Sequence, residues 1–333
     1  MSLDLGLVVG KFLPPHRGHR LLIETAAAQS RRVVILVCVR DDDAIPGETR
    51  VAWLRELHPA AGVRAVEDRY DPEDSTTWAR KTVEWLGRAP DAVFSSEDYG
   101  PRYAALMGAR HVSVDRERRR VPVSGSAVRR DPYAAWEQLD EPVRAFYARR
   151  VCVLGAESTG TTTLARQLAE RLGTCWVEEY GRELWAEKLA RGDLEWRSEE
   201  FVAIAREQVR RADAAARRAD RVLVCDTNAF ATVLWHRRYL GRPSPEVETI
   251  ANAERCDLFL LTGDEIPFVQ DGLRDGEHVR HTMHGWFEQA LAAQAGRRPV
   301  PWRTLRGARG ERLDEAIRLT HGLFRGSAWS PGR

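Results

Sequence analysis

The stretch GKFLPPHRGH, Gly10 to His19, sets two imidazoles three residues apart, His16 and His19, next to Lys11. It joins the apolar run LGLVV to the helix-like run RLLIETAAAQ. In an open α/β sheet, ligands bind beyond the carboxyl ends of strands, and a helix N-terminus placed there favours anions. Imidazoles aimed at that point would donate to phosphate-like oxygens. Pro14 and Pro15 stiffen the loop, and Gly18 lets backbone and ligand approach closely. Lysine is scarce: of 51 basic side chains only Lys11, Lys81 and Lys188 are lysines. A lysine kept against that bias marks a place where arginine would not serve.

A second loop, GAESTGTTTL from Gly155 to Leu164, follows the strand-like run VCVL and opens the helix-like run TLARQLAERL. Its glycines, Gly155 and Gly160, have the spacing of a phosphate-binding loop, but Thr161 stands where that pattern has lysine. Backbone amides of Glu157, Ser158, Thr159 and Gly160 could cradle phosphate oxygens whatever the side chains. The hydroxyl of Thr162 falls at the position that ligates Mg²⁺, with Thr163 beside it. The missing positive charge would have to come from elsewhere, from Lys188 or from Arg274 and Arg280 in the glycine-rich stretch QDGLRDGEHVRHTM, which reads as a lid. Two further strand ends, EEYGRE and CDTN, bring Glu179 and Asp226 to the edge facing the loop. Asp226 could act as a base or a metal ligand there, or serve only as a helix cap.

These loops need elements to hold them. Strand-like and helix-like segments alternate along the chain: LGLVV, VVILVCV, AVFS and HVSV in the first half, then VCVL, CWVEE, RVLVC, DLFLLT and VPWRTL in the second. That order predicts βαβ units and mostly parallel sheets. The expected fold class is α/β with two parallel-sheet domains, residues 1–148 and 149–326, and a disordered tail at 327–333.

Bulk properties fit two soluble domains. A chain of 333 residues is long for one core. The net charge of +2 is too near neutral for a protein whose main partner is a polyanion, so no direct DNA binding is expected. The triplet Arg118–Arg120 reads as a solvated turn. No apolar run approaches the roughly 20 residues that span a bilayer, and the N-terminus lacks a secretory pattern. Cys38, Cys152, Cys175, Cys225 and Cys256 show no metal-ligand spacing and read as buried hydrophobes in a reducing compartment. The expected location is the cytoplasm.

The histidine loop resembles that of the HxGH nucleotidyltransferases, and VSGSAVRRDP, Val123 to Pro132, resembles the second motif of the same superfamily. The resemblance implies a Rossmann-like first domain in which His16 and His19 contact ATP phosphates. Gly10, Lys11, Phe12, Gly18 and Ser124 would complete the ATP site, and Arg129 would hold the leaving pyrophosphate. FSSEDYG, Phe94 to Gly100, resembles a substrate-contacting stretch of that superfamily. Arg50 and Trp53 are weaker candidates for the mononucleotide site.

The second half resembles the ribosylnicotinamide kinase domain of NadR-type bifunctional proteins through GAESTG, EYGRE, DTN and DGLR, matching each except the loop lysine. The resemblance implies a P-loop kinase that phosphorylates nicotinamide riboside, after which the first domain joins the mononucleotide to the adenylyl group of ATP. ATP and Mg²⁺ are the implied cofactors. Tyr180, Arg182 and Trp235 would bound the riboside, although aromatic residues at such spacing also serve cores. Some relatives carry an N-terminal helix-turn-helix, and this chain starts at the first strand, so transcriptional repression is not expected. A homo-oligomer is compatible with the family, but no helix pattern compels one. Two other functions stay open: an adenylyltransferase for another phosphorylated acceptor, and a sensor of ATP or NAD with an inactive kinase domain.

Overall fold

A computed structural model of the chain describes residues 3–268, 277–294 and 299–327. The chain divides into two compact units, Met1–Val143 and Arg144–Arg333. The division expected at 148/149 falls a few residues later.

The first unit alternates strand and helix. Its strands are β1 (Leu3–Gly10), β2 (Ser30–Val39), β3 (Gly62–Glu67), β4 (Ala92–Ser95) and β5 (Arg110–Ser113). Its helices are α1 (Arg17–Gln29), α2 (Gly47–Leu57), α3 (Ser75–Leu86), α4 (Gly100–Leu106) and α5 (Gly125–Arg130). All strand pairs are parallel, in the order β3-β2-β1-β4-β5. The central strands carry near-continuous Leu, Val and Ile because both faces are covered. One face buries Val8, Ile35 and Phe94 against Leu22 and Ile23 of α1, and the other buries Leu7, Leu36 and Val93 against Ala79 and Tyr103. Strand β3 was not anticipated. It is an edge strand with only Val63 and Val66 buried, so Arg64 and Glu67 break its apolar pattern.

The second unit begins within α6 (Glu141–Tyr147) and repeats the plan. Its strands are β6 (Arg149–Leu154), β7 (Trp176–Val177), β8 (Val222–Asp226), β9 (Leu258–Thr262) and β10 (Trp302–Leu305). Helices α7 (Thr161–Leu172), α8 (Tyr180–Ala190), α9 (Ser198–Ala216) and α10 (Ala229–Leu240) precede α11 (Pro245–Ala253), α12 (Glu277–Ala292) and α13 (Arg309–Gly322). The parallel sheet runs β10-β9-β6-β8-β7. The run CWVEE yields only a two-residue strand before α8 begins.

In both sheets the first strand sits in the middle and the crossovers on its two sides diverge, with β2 and β4 flanking β1 and β9 and β8 flanking β6. That divergence opens a crevice beyond β1 and β4 in one unit and beyond β6 and β8 in the other. All five cysteines are free, with Cys38, Cys152 and Cys225 buried. Among the described residues, no helix is long and apolar enough to cross a membrane. The expected tail and Arg274 fall on residues outside those described, apart from Ser327.

Candidate active sites

In the first unit a cavity of about 470 Å³ opens at the crevice beyond β1 and β4. Gly10, Lys11, His16, Gly18 and His19 line it from one side, and Ser124 and Gly125 at the start of α5 from another. Its size lies within the range of small-ligand sites. His16 ends the loop as the N-cap of α1, where its Nδ1 accepts from the Gly18 N–H at 3.1 Å. With Nδ1 an acceptor, the ring's proton sits on Nε2, the nitrogen that remains free to donate. The His16 and His19 rings stack at 3.8 Å between centroids, 28° from parallel. Phe12 tilts against His19 at 4.8 Å. A side chain at Gly18 would place its Cβ 3.0 Å from His16 Cε1, so the pair depends on that glycine.

Burial, and then the charge of Arg118, press the His16 imidazole down from 6.5 to about 4. His19 is driven well below its usual value by burial first, then by His16 and Arg118. Both rings are therefore neutral donors at neutral pH rather than cations.

Several expected residues sit elsewhere. Arg129 is not on the cavity wall: its Nη1 donates to the Leu13 carbonyl at 2.7 Å and its Nη2 to Ser126 Oγ at 3.1 Å. It fastens α5 to the histidine loop. Ser124 caps α5, accepting from Ala127 N. Phe12, with φ +48° and 1% exposure, supports His19 from below and does not line the cavity. Arg50 corrects a second expectation. It is fully buried, and its guanidinium donates to the carbonyls of Ile45, Lys11 and Cys38 and to Asp43, so it staples strand ends and meets no cavity. Trp53 is buried beside it on α2, also off the wall, because both face the sheet. Lys11 pairs with Asp68 at 3.0 Å on the wall.

Other segments complete the wall, one unforeseen and one the FSSEDYG stretch expected to contact substrate. Asp68, Glu73 and Trp78 come from the segment after β3, and Ser95, Ser96 and Glu97 from FSSEDYG at the end of β4. Arg118, read as part of a solvated turn, stands on the wall. The signal that could have found it is its position directly after the β5 strand, at the same sheet edge as the histidines.

In the second unit a smaller cavity of about 130 Å³ lies beyond β6 and β8. Gly155, Glu157, Ser158 and Thr161 line it together with Glu179, Arg182, Asp226 and Trp235. Ser158 at φ +59° and Gly160 at φ +85° give the left-handed turns that shape a backbone anion nest. A Cβ at Gly155 would fall 2.1 Å from Thr262 Oγ1 and 2.5 Å from Thr159 Oγ1. Thr159 itself faces inward: its hydroxyl donates to Ala156 O at 2.7 Å and Arg312 grips its carbonyl at 3.1 Å, so it braces the loop instead of meeting a ligand. Thr163 and Gly160 are also off the wall.

Val153 and Asp226 are register partners on β6 and β8, which fixes the carboxylate beside the loop. Burial pushes Asp226 and Glu179 upward, and the charge of Asp226 lifts Glu179 further. Arg182, 3.9 Å from Glu179, opposes both shifts. Thr162 Oγ1 and Asp226 Oδ1 are buried without a well-formed hydrogen bond, with the Thr162 and Thr161 hydroxyls near enough to the carboxylate to ease its burial. Two such oxygens next to a second carboxylate fit a divalent cation that takes its remaining ligands from phosphate and water. No cluster of three or more His, Cys, Asp or Glu suited to a metal occurs among the described residues.

Three expectations here need correction. Lys188 cannot lend its charge to the loop: it is buried against Asp193 at 2.9 Å and Glu200 at 2.6 Å, over the Trp196 ring. Tyr180 lies outside the cavity, under the Arg211 guanidinium at 4.5 Å. Arg280 is buried beside Phe268 rather than on the wall. Trp185 and Trp196, stacked at 5.2 Å, join Trp235 and Tyr239 as an aromatic side that the sequence did not separate from core.

A family model described as an AAA domain matches residues 150–312. The "Trifunctional NAD biosynthesis/regulator protein NadR" of Escherichia coli (strain K12) is 29% identical over 293 residues, covering 81% of this chain and 71% of that protein. The protein of the same name from Salmonella typhimurium is 29% identical over 294 residues, covering 81% and 72%. Among solved structures, a NadR protein in complex with NAD and AMP-PNP superposes with a TM-score of 0.76 at 23% identity, covering 97% of this chain and 96% of that one. A NadR protein in complex with NR gives 0.79 at 22% identity, over 100% and 98%. By relationship in sequence, and with a fold shared along nearly its whole length, the chain is homologous to NadR.

Proposed function

We propose that the first cavity transfers the adenylyl group of ATP to the phosphate of nicotinamide mononucleotide, forming NAD and pyrophosphate. The second cavity, on the same reading, phosphorylates nicotinamide riboside with ATP. The observation that carries the first assignment is the stacked pair of neutral imidazoles on the wall of a nucleotide-sized cavity. The relationship to proteins named for NAD biosynthesis supports it. We also propose that the two activities divide near residues 148/149.

Such a reaction needs no nucleophile from the protein. An oxygen of the mononucleotide phosphate attacks the α-phosphorus, the bond to the bridging oxygen breaks, and pyrophosphate leaves with the electron pair. The chain has to align these groups and meet the charge that builds on phosphate oxygens. His16 Nε2–H supplies a donor fixed by the Gly18 contact behind it, and the Ser124-capped turn lies beside it, with Gly125 close to Nε2. Neutral imidazoles keep donating across the physiological pH range without exchanging protons with solvent.

In the second cavity Asp226, made more basic by burial, is the group to take the proton from a riboside hydroxyl. Thr162 would hold a divalent cation together with phosphate oxygens and water; in the alternative where Asp226 ligates that ion, its carboxylate is held ionised and is no longer the base. That ion, when bound, neutralises phosphate charge. Thr161 leaves the loop without its lysine, so phosphorylation is expected to be slow.

The test is an acceptor profile: the full chain with ATP, Mg²⁺ and a series of phosphorylated acceptors, followed by pyrophosphate release. Nicotinamide mononucleotide should be preferred. Release with a pantetheine or flavin phosphate, or with none of them, would contradict the assignment.

A further inference from the structure

We infer that Arg118 presents positive charge to the polyphosphate chain in the first cavity, so that it binds the triphosphate and then the departing pyrophosphate. The inference rests on the adenylyl-transfer reading of that cavity and adds a residue to it.

Three cations lie near this site, and the structure separates them. Lys11 reaches the wall but is committed to Asp68 at 3.0 Å. Arg129 stands behind the wall at Gly125, where its guanidinium donates to the Leu13 carbonyl and Ser126. Arg118 is on the wall, and its ion pair is a long one, Nη2 to Glu97 Oε1 at 3.4 Å. A contact of that length is readily exchanged for an anionic phosphate oxygen. Its neighbours on the same turn, Arg116 and Arg119, are paired with Asp98 and Glu117 and stay off the wall.

The turn that carries Arg118 is built for a fixed purpose. Asp115 and Arg118 both adopt left-handed backbone, φ +45° and +52°, which costs energy for residues other than glycine. The Asp115 carboxylate holds the bend by accepting from the Arg120 and Val121 amides at 3.0 and 2.9 Å. This shape, beyond the end of β5, aims one arginine of the run at the histidines. Arg118 lines the same cavity as His16 and His19, and its charge is felt by both. As the phosphate oxygen of the acceptor bonds to the α-phosphorus, the electron pair of the broken bond goes to pyrophosphate, and Arg118 meets that charge.

Two measurements on the full chain decide it. In steady-state assays, Arg118→Ala should lower kcat/KM for ATP, and for pyrophosphate in the reverse direction, by about a hundredfold, the loss typical of one charge-stabilising donor. KM for nicotinamide mononucleotide should stay within about twofold, and Arg118→Lys should recover part of the loss. Unchanged polyphosphate kinetics in a folded Arg118→Ala protein would overturn the inference. The second measurement does not need turnover: ¹⁵N-histidine NMR with inorganic tripolyphosphate should move the His16 and His19 signals in the parent chain, and move them far less in Arg118→Ala. Equal shifts in both, or none in the parent, would overturn it too. A parent chain that binds tripolyphosphate through Arg118 yet makes no dinucleotide would refute the adenylyl-transfer reading alone.

Discussion

Protonating His16 should destabilise the first unit, and the size of that effect follows from its burial. The ring is 6% exposed, and its folded value lies near 4 against 6.5 for an ordinary imidazole. Between those values the unfolded chain binds a proton that the folded chain refuses, so stability falls as pH drops from 6.5 towards 4. Integrating over that window gives a loss of about 2 kcal/mol at pH 5 and about 3 kcal/mol at pH 4. His16→Asn removes the titration but keeps a side-chain acceptor for the Gly18 amide, since asparagine is a good helix N-cap. Urea denaturation of parent and variant at pH 7.5 and pH 5.0 reads the difference directly. The parent should lose about 2 kcal/mol more than His16→Asn between the two conditions. Parallel losses would show that the imidazole is not held neutral by its surroundings, and the argument for neutral donors would fail.

Three further outcomes follow from the second unit. Gly155→Ala should displace the loop, because the added Cβ meets Thr262 Oγ1 at 2.1 Å, and should cut riboside phosphorylation by about a hundredfold while dinucleotide synthesis is unaffected. Thr161→Lys should speed phosphorylation by at least about tenfold by restoring charge at the loop, measured as nicotinamide mononucleotide formed per minute. Glu254, buried beside Arg150 and Asp213 and pushed up to about 7, keeps its proton in the folded chain to higher pH than in the unfolded one. Its ionisation therefore lowers stability as pH rises from 4.5 through 7, and Glu254→Gln should be more stable than the parent by roughly 3 kcal/mol at pH 8 and no different at pH 4 in thermal or urea unfolding.

One wall of each crevice was legible in the sequence because a contiguous strand, loop and helix start supplies it, while distant segments supply the rest. A strand, a glycine loop and a helix start fix where His16, Gly18 and His19 lie, and the same grammar places Gly155, Ser158 and Thr161 beside Asp226. The alternation of strands and helices gave parallel sheets for the same reason: buried parallel strands are apolar runs that stand out. Side-chain direction was not legible. Arg50 and Trp53 sit on α2 with the right residue types, but the helix turns them inward onto β1 and β2 ends. Lys188 looked available because scarcity hinted at use, whereas its charge closes a network with Asp193 and Glu200. Arg118 was lost in a run of three arginines, since only backbone geometry distinguishes the one that reaches the cavity. Edge strand β3 escaped because half of it faces water.

The central claim is that the paired imidazoles run adenylyl transfer in a cavity separate from the one holding Asp226. Its most direct test is pyrophosphate release from ATP and nicotinamide mononucleotide by three full-length proteins: the parent chain, His19→Ala and Asp226→Asn. The account predicts rapid release by the parent and by Asp226→Asn, and a loss of about a hundredfold or more in His19→Ala. Undiminished release by His19→Ala, or release that disappears with Asp226→Asn instead, would contradict it.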